Sequence, residues 1–316
     1  MSSQLPSKHK AIAAIFYLLL IVFLVVYLLS IDISRLLDVT IRWEYFIIAS
    51  ILGLLGRYFG AFIWLIILSG LGAKDVFSQK AALLEVYAKS WLGRYIPGKA
   101  AWILGKIYFA SQLGVSKNKL AVSSVLEGAL QIGTKFILAF VILLFDARID
   151  FITDEARWLL GVFIVIGIFT LIPSIFNRII GLLYRLYKKK PFDAAHAVDN
   201  NTLIKSAMLY TAASFISALS FFFIAMAVYG DLTFADIYFV SSVTILASAI
   251  SMLAVFTPSG LGVKEGIQIA LLSIIMPTEI AFAIAVATRL WSVLMDFIFF
   301  GSAKYLLRIA RHNSAT

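Results

Sequence analysis

An all-α polytopic membrane protein is the fold class this sequence predicts, and three observations carry it. Of its 316 residues 62% are hydrophobic and only 14% are charged, whereas soluble domains run nearer a quarter charged. Apolar runs of about twenty residues recur along the chain, each enough to cross roughly 30 Å of hydrocarbon as a helix. Two stretches interrupt such runs with Gly, Pro and charge: Trp91-Leu92-Gly93-Arg94-Tyr95-Ile96-Pro97-Gly98-Lys99 and Thr257-Pro258-Ser259-Gly260-Leu261-Gly262-Val263-Lys264-Glu265-Gly266. Lipid offers no partner for a freed backbone N–H or C=O, so non-helical backbone at membrane depth persists only inside protein or beside a polar cavity. Paired interruptions of this kind in two halves of a chain point to a transporter's central site.

The elements follow in order. Lys8, His9 and Lys10 precede the uncharged run from Ala11 to Ile31, which is longer than a signal-peptide core and lacks a small-x-small cleavage site after it. It reads as a retained first span, about Ala11–Leu29. The second span is about Tyr45–Gly70, interrupted only by Arg57. The basic region Ala73–Lys119 contains two half-length helical runs, Ala81–Leu92 and Ala100–Leu113, on either side of Pro97. The third span is about Leu120–Phe145 and the fourth Trp158–Phe176. A basic piece, Asn177–Lys190, then spaces Ile179, Ile180, Leu183 and Leu186 as a helix along the headgroup layer would. The fifth span is about Leu203–Tyr229. Ile237–Phe256 leads into the Pro258 break, Ile267–Met276 leads out, and Ile280–Ala303 is the last span.

The formal charge of +10 comes from Lys and Arg placed between apolar spans, as the positive-inside rule expects, so anionic headgroups rather than nucleic acid are the expected contact. The same rule puts both termini, Ala73–Lys119 and Asn177–Lys205 in the cytoplasm. Six full spans with two re-entrant hairpins, one at each break and of opposite orientation, satisfy it; so does a count of eight, in which Ile237–Phe256 crosses completely. The expected organisation is one transmembrane domain, 1–316, with half-repeats over 11–145 and 158–303. The sequence has no Cys, which excludes disulfides and thiolate metal sites, and its three His lie in terminal or loop segments. No cofactor and no metal are expected.

Charged residues inside apolar spans are functional candidates by default. Arg94 and Lys99, beside Pro97 and Gly98, are placed to hold a lipid phosphate, although long cations also snorkel to headgroups. Lys264 and Glu265 follow Gly260 and Gly262 at a helix start, where a carboxylate is also a natural cap. Glu127, Gln131 and Lys135 recur every four residues and form one polar stripe. Glu127 and Lys135 are too far apart to pair, so other spans must supply partners; Arg57 and Arg289 are the candidates for Glu127. Arg57, Arg289 and Asp296 complete the intramembrane polar set. Trp43, Trp91 and Trp158 sit at span ends, where aromatic belts form.

The flanks of the two breaks, with Gly114 and Glu127 between them, resemble the membrane domain of the lysylphosphatidylglycerol synthase/flippase family, also called the multiple peptide resistance factor family. That resemblance covers essentially the whole chain in span order. It implies a flippase or scramblase for a polar lipid, either an aminoacylated phospholipid or a lipid-linked glycan carrier, in a prokaryotic cytoplasmic membrane. The implied partners are that lipid and separate synthase or envelope-biosynthesis proteins. Bifunctional members add a soluble aminoacyl-transferase domain after the membrane part, whereas this sequence stops at Thr316, so the resemblance extends to the flippase half and not to the synthase. A non-enzymatic transporter is therefore expected; a membrane-embedded transferase using a lipid-linked donor and a non-transporting subunit of an envelope-synthesis complex are the alternatives.

Overall fold

The computed structural model describes residues 40–96, 100–144, 198–254, 257 and 260–313, with scattered positions between 157 and 182. The expected first span, about half of the fourth and most of the amphipathic piece after it lie outside the described residues. Eight α-helices organise the rest: α1 (Trp43–Gly70), α2 (Lys80–Trp91), α3 (Ala100–Ser111), α4 (Lys117–Leu144), α5 (Asn200–Val228), α6 (Ile237–Leu253), α7 (Val263–Leu272) and α8 (Thr278–Asn313). No strand occurs among the described residues. Four of the helices, α1, α4, α5 and α8, are long and apolar enough to cross a membrane. So is the unit Phe234–Leu253, which joins a 3-10 turn to α6. The other three, α2, α3 and α7, have 12, 12 and 10 residues; at 1.5 Å per residue each falls well short of 30 Å.

Helix α8 runs past the expected end at Ala303 to Asn313. Its apolar run stops at the basic residues, but backbone hydrogen bonding does not, and Lys304, Arg308 and Arg311 are exposed. Asp199 starts α5 by accepting the Thr202 N–H at 3.0 Å, an N-cap that satisfies a donor the helix cannot.

Helices α1 and α5 form a long antiparallel pair. The Arg42 guanidinium, just before α1, donates to Met226 O at 2.8 Å at the end of α5, while Gly70 at the end of α1 meets Thr202 at the start of α5. Hydrocarbon gives no hydrophobic drive between spans, so close contact of small residues and interhelical hydrogen bonds must hold them. Ala49, Gly53 and Ser220 do so here, with Ser220 Oγ donating to Ala49 O at 2.8 Å.

The remaining contacts come in matched sets. Helix α2 packs on α3 and on α8, while α6 packs on α7 and on α4; α3 packs on α4 as α7 packs on α8. Two buried clusters sit correspondingly: Trp64, Leu83, Tyr87, Leu120 and Phe299 in one, Phe222, Phe239, Val243, Leu272 and Ile284 in the other. At the first break a 3-10 turn, Leu92–Tyr95, brings α2 against α3 so closely that a Cβ at Gly93 would lie 2.9 Å from the Ala101 carbonyl carbon. At the second, Gly260 has φ +71°, and a Cβ there would meet the Ser251 side chain at 2.6 Å. Both positions require glycine.

Candidate functional site

Asp296 is the hub on α8. Its carboxylate is fully buried, and a buried charge must be paired or hydrogen-bonded. Arg57 Nε, from the middle of α1, donates to Oδ1 at 2.7 Å. Arg94 Nη2, from the first break, lies 2.7 Å from Oδ2. Tyr95 Oη donates to Oδ2 at 2.5 Å and Trp91 Nε1 to Oδ1 at 3.3 Å. Arg57 fills its other valences on Gly53 O and Ser292 O, both at 2.9 Å. Arg94 stacks over Trp91 and Tyr95, with its guanidinium carbon 4.8 and 5.2 Å from the ring centres. Its Nε is buried and has no hydrogen-bond partner among the described residues. Trp91 therefore belongs to this cluster and not to an interfacial belt, because the 3-10 turn points its indole N–H at Asp296.

Glu127 on α4 takes neither partner the sequence suggested. Lys106 of α3 forms the ion pair, Tyr87 Oη donates at 2.8 Å, and Gln131 Nε2 donates at 3.2 Å. The Lys106 ammonium lies among the rings of Trp102, Tyr87 and Trp64, at 4.2, 5.3 and 5.5 Å from their centres, where ring quadrupoles favour a cation. Lys106 is 1% and Glu127 0% exposed, so this cluster is closed. The corrected pairing follows from the short α2–α3 hairpin, which places Lys106 against α4 while α8 takes Arg57 for itself. Lys106 was not among the expected site residues, although it is the lone charge between Ala100 and Leu113, the signal by which it could have been found. Nothing in the sequence marked Ser292.

At the second break, Glu265 sits in the first turn of α7. Its Oε2 accepts the Gly262 N–H at 2.8 Å, and its Oε1 lies 3.4 Å from Arg289 Nη1 on α8. The cap and the ion pair coexist. Lys264 and Lys135 are both half-buried. Lys264 is repelled by Lys135, Arg94 and Arg289, and attracted by Glu265; Lys135 is repelled by Arg94. Among the described residues neither lysine has a carboxylate within ion-pair distance, and Lys135 Nζ lies 3.9 Å from the Met252 sulfur. The Arg289 guanidinium stands 5.9 Å from the Tyr95 ring.

The two breaks therefore meet along α8 between Arg289 and Asp296. Five cations gather there, Arg57, Arg94, Lys135, Lys264 and Arg289, against the two carboxylates of Asp296 and Glu265. Of the other residues singled out in the sequence, Gly260 and Gly262 shape the second break, Gln131 supports Glu127, and Pro97, Gly98, Lys99 and Pro258 lie outside the described residues. Among the described residues no group of three or more His, Cys, Asp or Glu could hold a metal ion.

The family model described as the lysylphosphatidylglycerol synthase TM region matches residues 11–299. No curated protein and no solved structure matches this chain.

Proposed function

The chain belongs to the lysylphosphatidylglycerol synthase TM-region family, and from this premise we propose that it is a transporter, not an enzyme, that flips or scrambles a polar lipid across a prokaryotic cytoplasmic membrane. One observation carries the reading: two helix breaks from opposite halves converge on α8 with five cations and two carboxylates. Uncompensated positive charge at membrane depth is costly, and the most abundant anion able to reach it from the bilayer is a lipid phosphate. The tails stay in hydrocarbon while the headgroup follows the polar side of the breaks.

The matched contacts support an inverted repeat. Exchanging α1 with α5, α2 with α6, α3 with α7 and α4 with α8 preserves the packing pattern, and the exchanged pair α1 and α5 is antiparallel. On this reading both termini are cytoplasmic and each break enters from its own side of the bilayer. Cysteines at the exposed positions Lys80 and Lys117 then label from the cytoplasmic side alone, and those at Asp231 and Thr278 from the outside alone; labelling of Lys80 and Lys117 from opposite faces overturns the first hairpin. Separate lipid-synthesis or envelope-biosynthesis proteins would supply or use the lipid.

The functional test is headgroup accessibility in proteoliposomes at matched protein content. Lys264→Gln and Arg289→Gln remove a charge-assisted phosphate contact and should slow translocation roughly ten- to a hundredfold, with Lys117→Gln unchanged. If all three variants match the parent, the convergence of the breaks is structural and the proposal fails.

A further inference from the structure

Resting on that reading, we infer that the headgroup carries two negative charges, as a phosphomonoester or diphosphate does, and that it binds between Lys135 and Lys264. Pro97 and Pro258 are 161 positions apart, and the same displacement takes Lys117 to Thr278, the first residues of α4 and α8. It also takes Trp91 to Met252 and Lys135 to Asp296. The contacts correspond: Trp91 Nε1 lies 3.3 Å from Asp296, and Met252 Sδ lies 3.9 Å from Lys135 Nζ. One place beside each break thus has one neighbour at the corresponding position and the opposite charge.

At the first break the chain supplies its own anion there, from α8. Asp296 sits between Arg57 and Arg94 at 2.7 Å from each, as a phosphate oxygen would. At the second break the corresponding position is a cation, Lys135 of α4, and Lys264, which follows that break, carries a second positive charge that Lys135 repels. Glu265 cannot serve both, since it is occupied by the Gly262 N–H and Arg289. Two half-buried ammonium groups without a carboxylate are balanced by an anion from outside the chain. A phosphodiester supplies one negative charge; a phosphomonoester supplies about two, its second pKa being near 6. A cationic or zwitterionic headgroup leaves the surplus uncompensated. The acid that α8 supplies at the first break is, at the second, brought by the lipid.

The experiment is native mass spectrometry of the detergent-purified full chain at pH 8, titrated with phosphatidic acid or phosphatidylglycerol of identical acyl chains, and with inorganic phosphate. Phosphatidic acid should bind at least roughly tenfold tighter than phosphatidylglycerol. Lys135→Gln and Lys264→Gln should each bring the two lipids level, and Lys135→Arg should keep the preference, which separates charge from folding. Equal binding of the two lipids by the parent, with both weakened in Lys264→Gln, overturns the two-charge headgroup and leaves the lipid site standing. Binding that ignores both substitutions overturns the site as well. Competition by inorganic phosphate at the same concentration as the lipid makes the ligand a free anion and overturns the lipid assignment.

Discussion

Replacing Asp296 with Asn keeps the size of the side chain and removes the charge on which the first break rests. One of Arg57 and Arg94, each 2.7 Å from its own carboxylate oxygen, then faces the amide NH2 and the other a neutral carbonyl oxygen. Only one of Tyr95 and Trp91 keeps an acceptor. Removing one partner of a buried ion pair costs about 3–5 kcal/mol, mostly because the other charge is left behind. The two arginine side chains retain 22% or less exposure, so water or a headgroup can relieve part of that; the lower end, about 3 kcal/mol, is expected. With a melting shift of about 2–4 °C per kcal/mol for mid-sized chains, the detergent-solubilised protein should unfold roughly 6–12 °C lower. The double variant Asp296→Asn/Arg57→Gln should lose less than the two single losses added together, since it removes the stranded charge with its partner. A loss under about 1 kcal/mol, the value of an exposed pair, or simple additivity in the double variant would show that Asp296 is not the counter-ion of these arginines.

Three further outcomes follow from the same geometry. Glu127→Gln strands the buried Lys106 ammonium and should cost about 3–5 kcal/mol, whereas Lys106→Met with Glu127→Leu should come close to neutral; thermal unfolding of the single and double variants compares them. Gly93→Ala puts a methyl 2.9 Å from the Ala101 backbone and should cost about 1–3 kcal/mol by overpacking, read as faster proteolysis at the α2–α3 turn. Asp199→Ala removes the cap on Thr202 and should cost about 1 kcal/mol, seen as faster amide exchange confined to the first turn of α5.

The sequence by itself determined the class of the protein and the places where its regular structure fails. Apolar length fixes a span because the bilayer has a thickness, and Gly-Pro punctuation marks a break because lipid cannot satisfy freed backbone groups. Hence α1, α4 and α5 start and end within three residues of their expected limits, and both breaks fall where they were read. The charged residues inside the spans were legible for the same reason: each stands out against hydrocarbon. Their partners were not. Periodicity tells which face of a helix a residue occupies, but not which helix lies opposite. Glu127 was open to Arg57 or Arg289, and only the folding of α3 against α4 gave it Lys106. Asp296 gained Arg94 and Tyr95 because α2 packs on α8 across some two hundred positions of sequence. An ion pair depends on distances of a few ångströms between elements remote in the chain; those distances are set when the helices pack, and no local pattern encodes them.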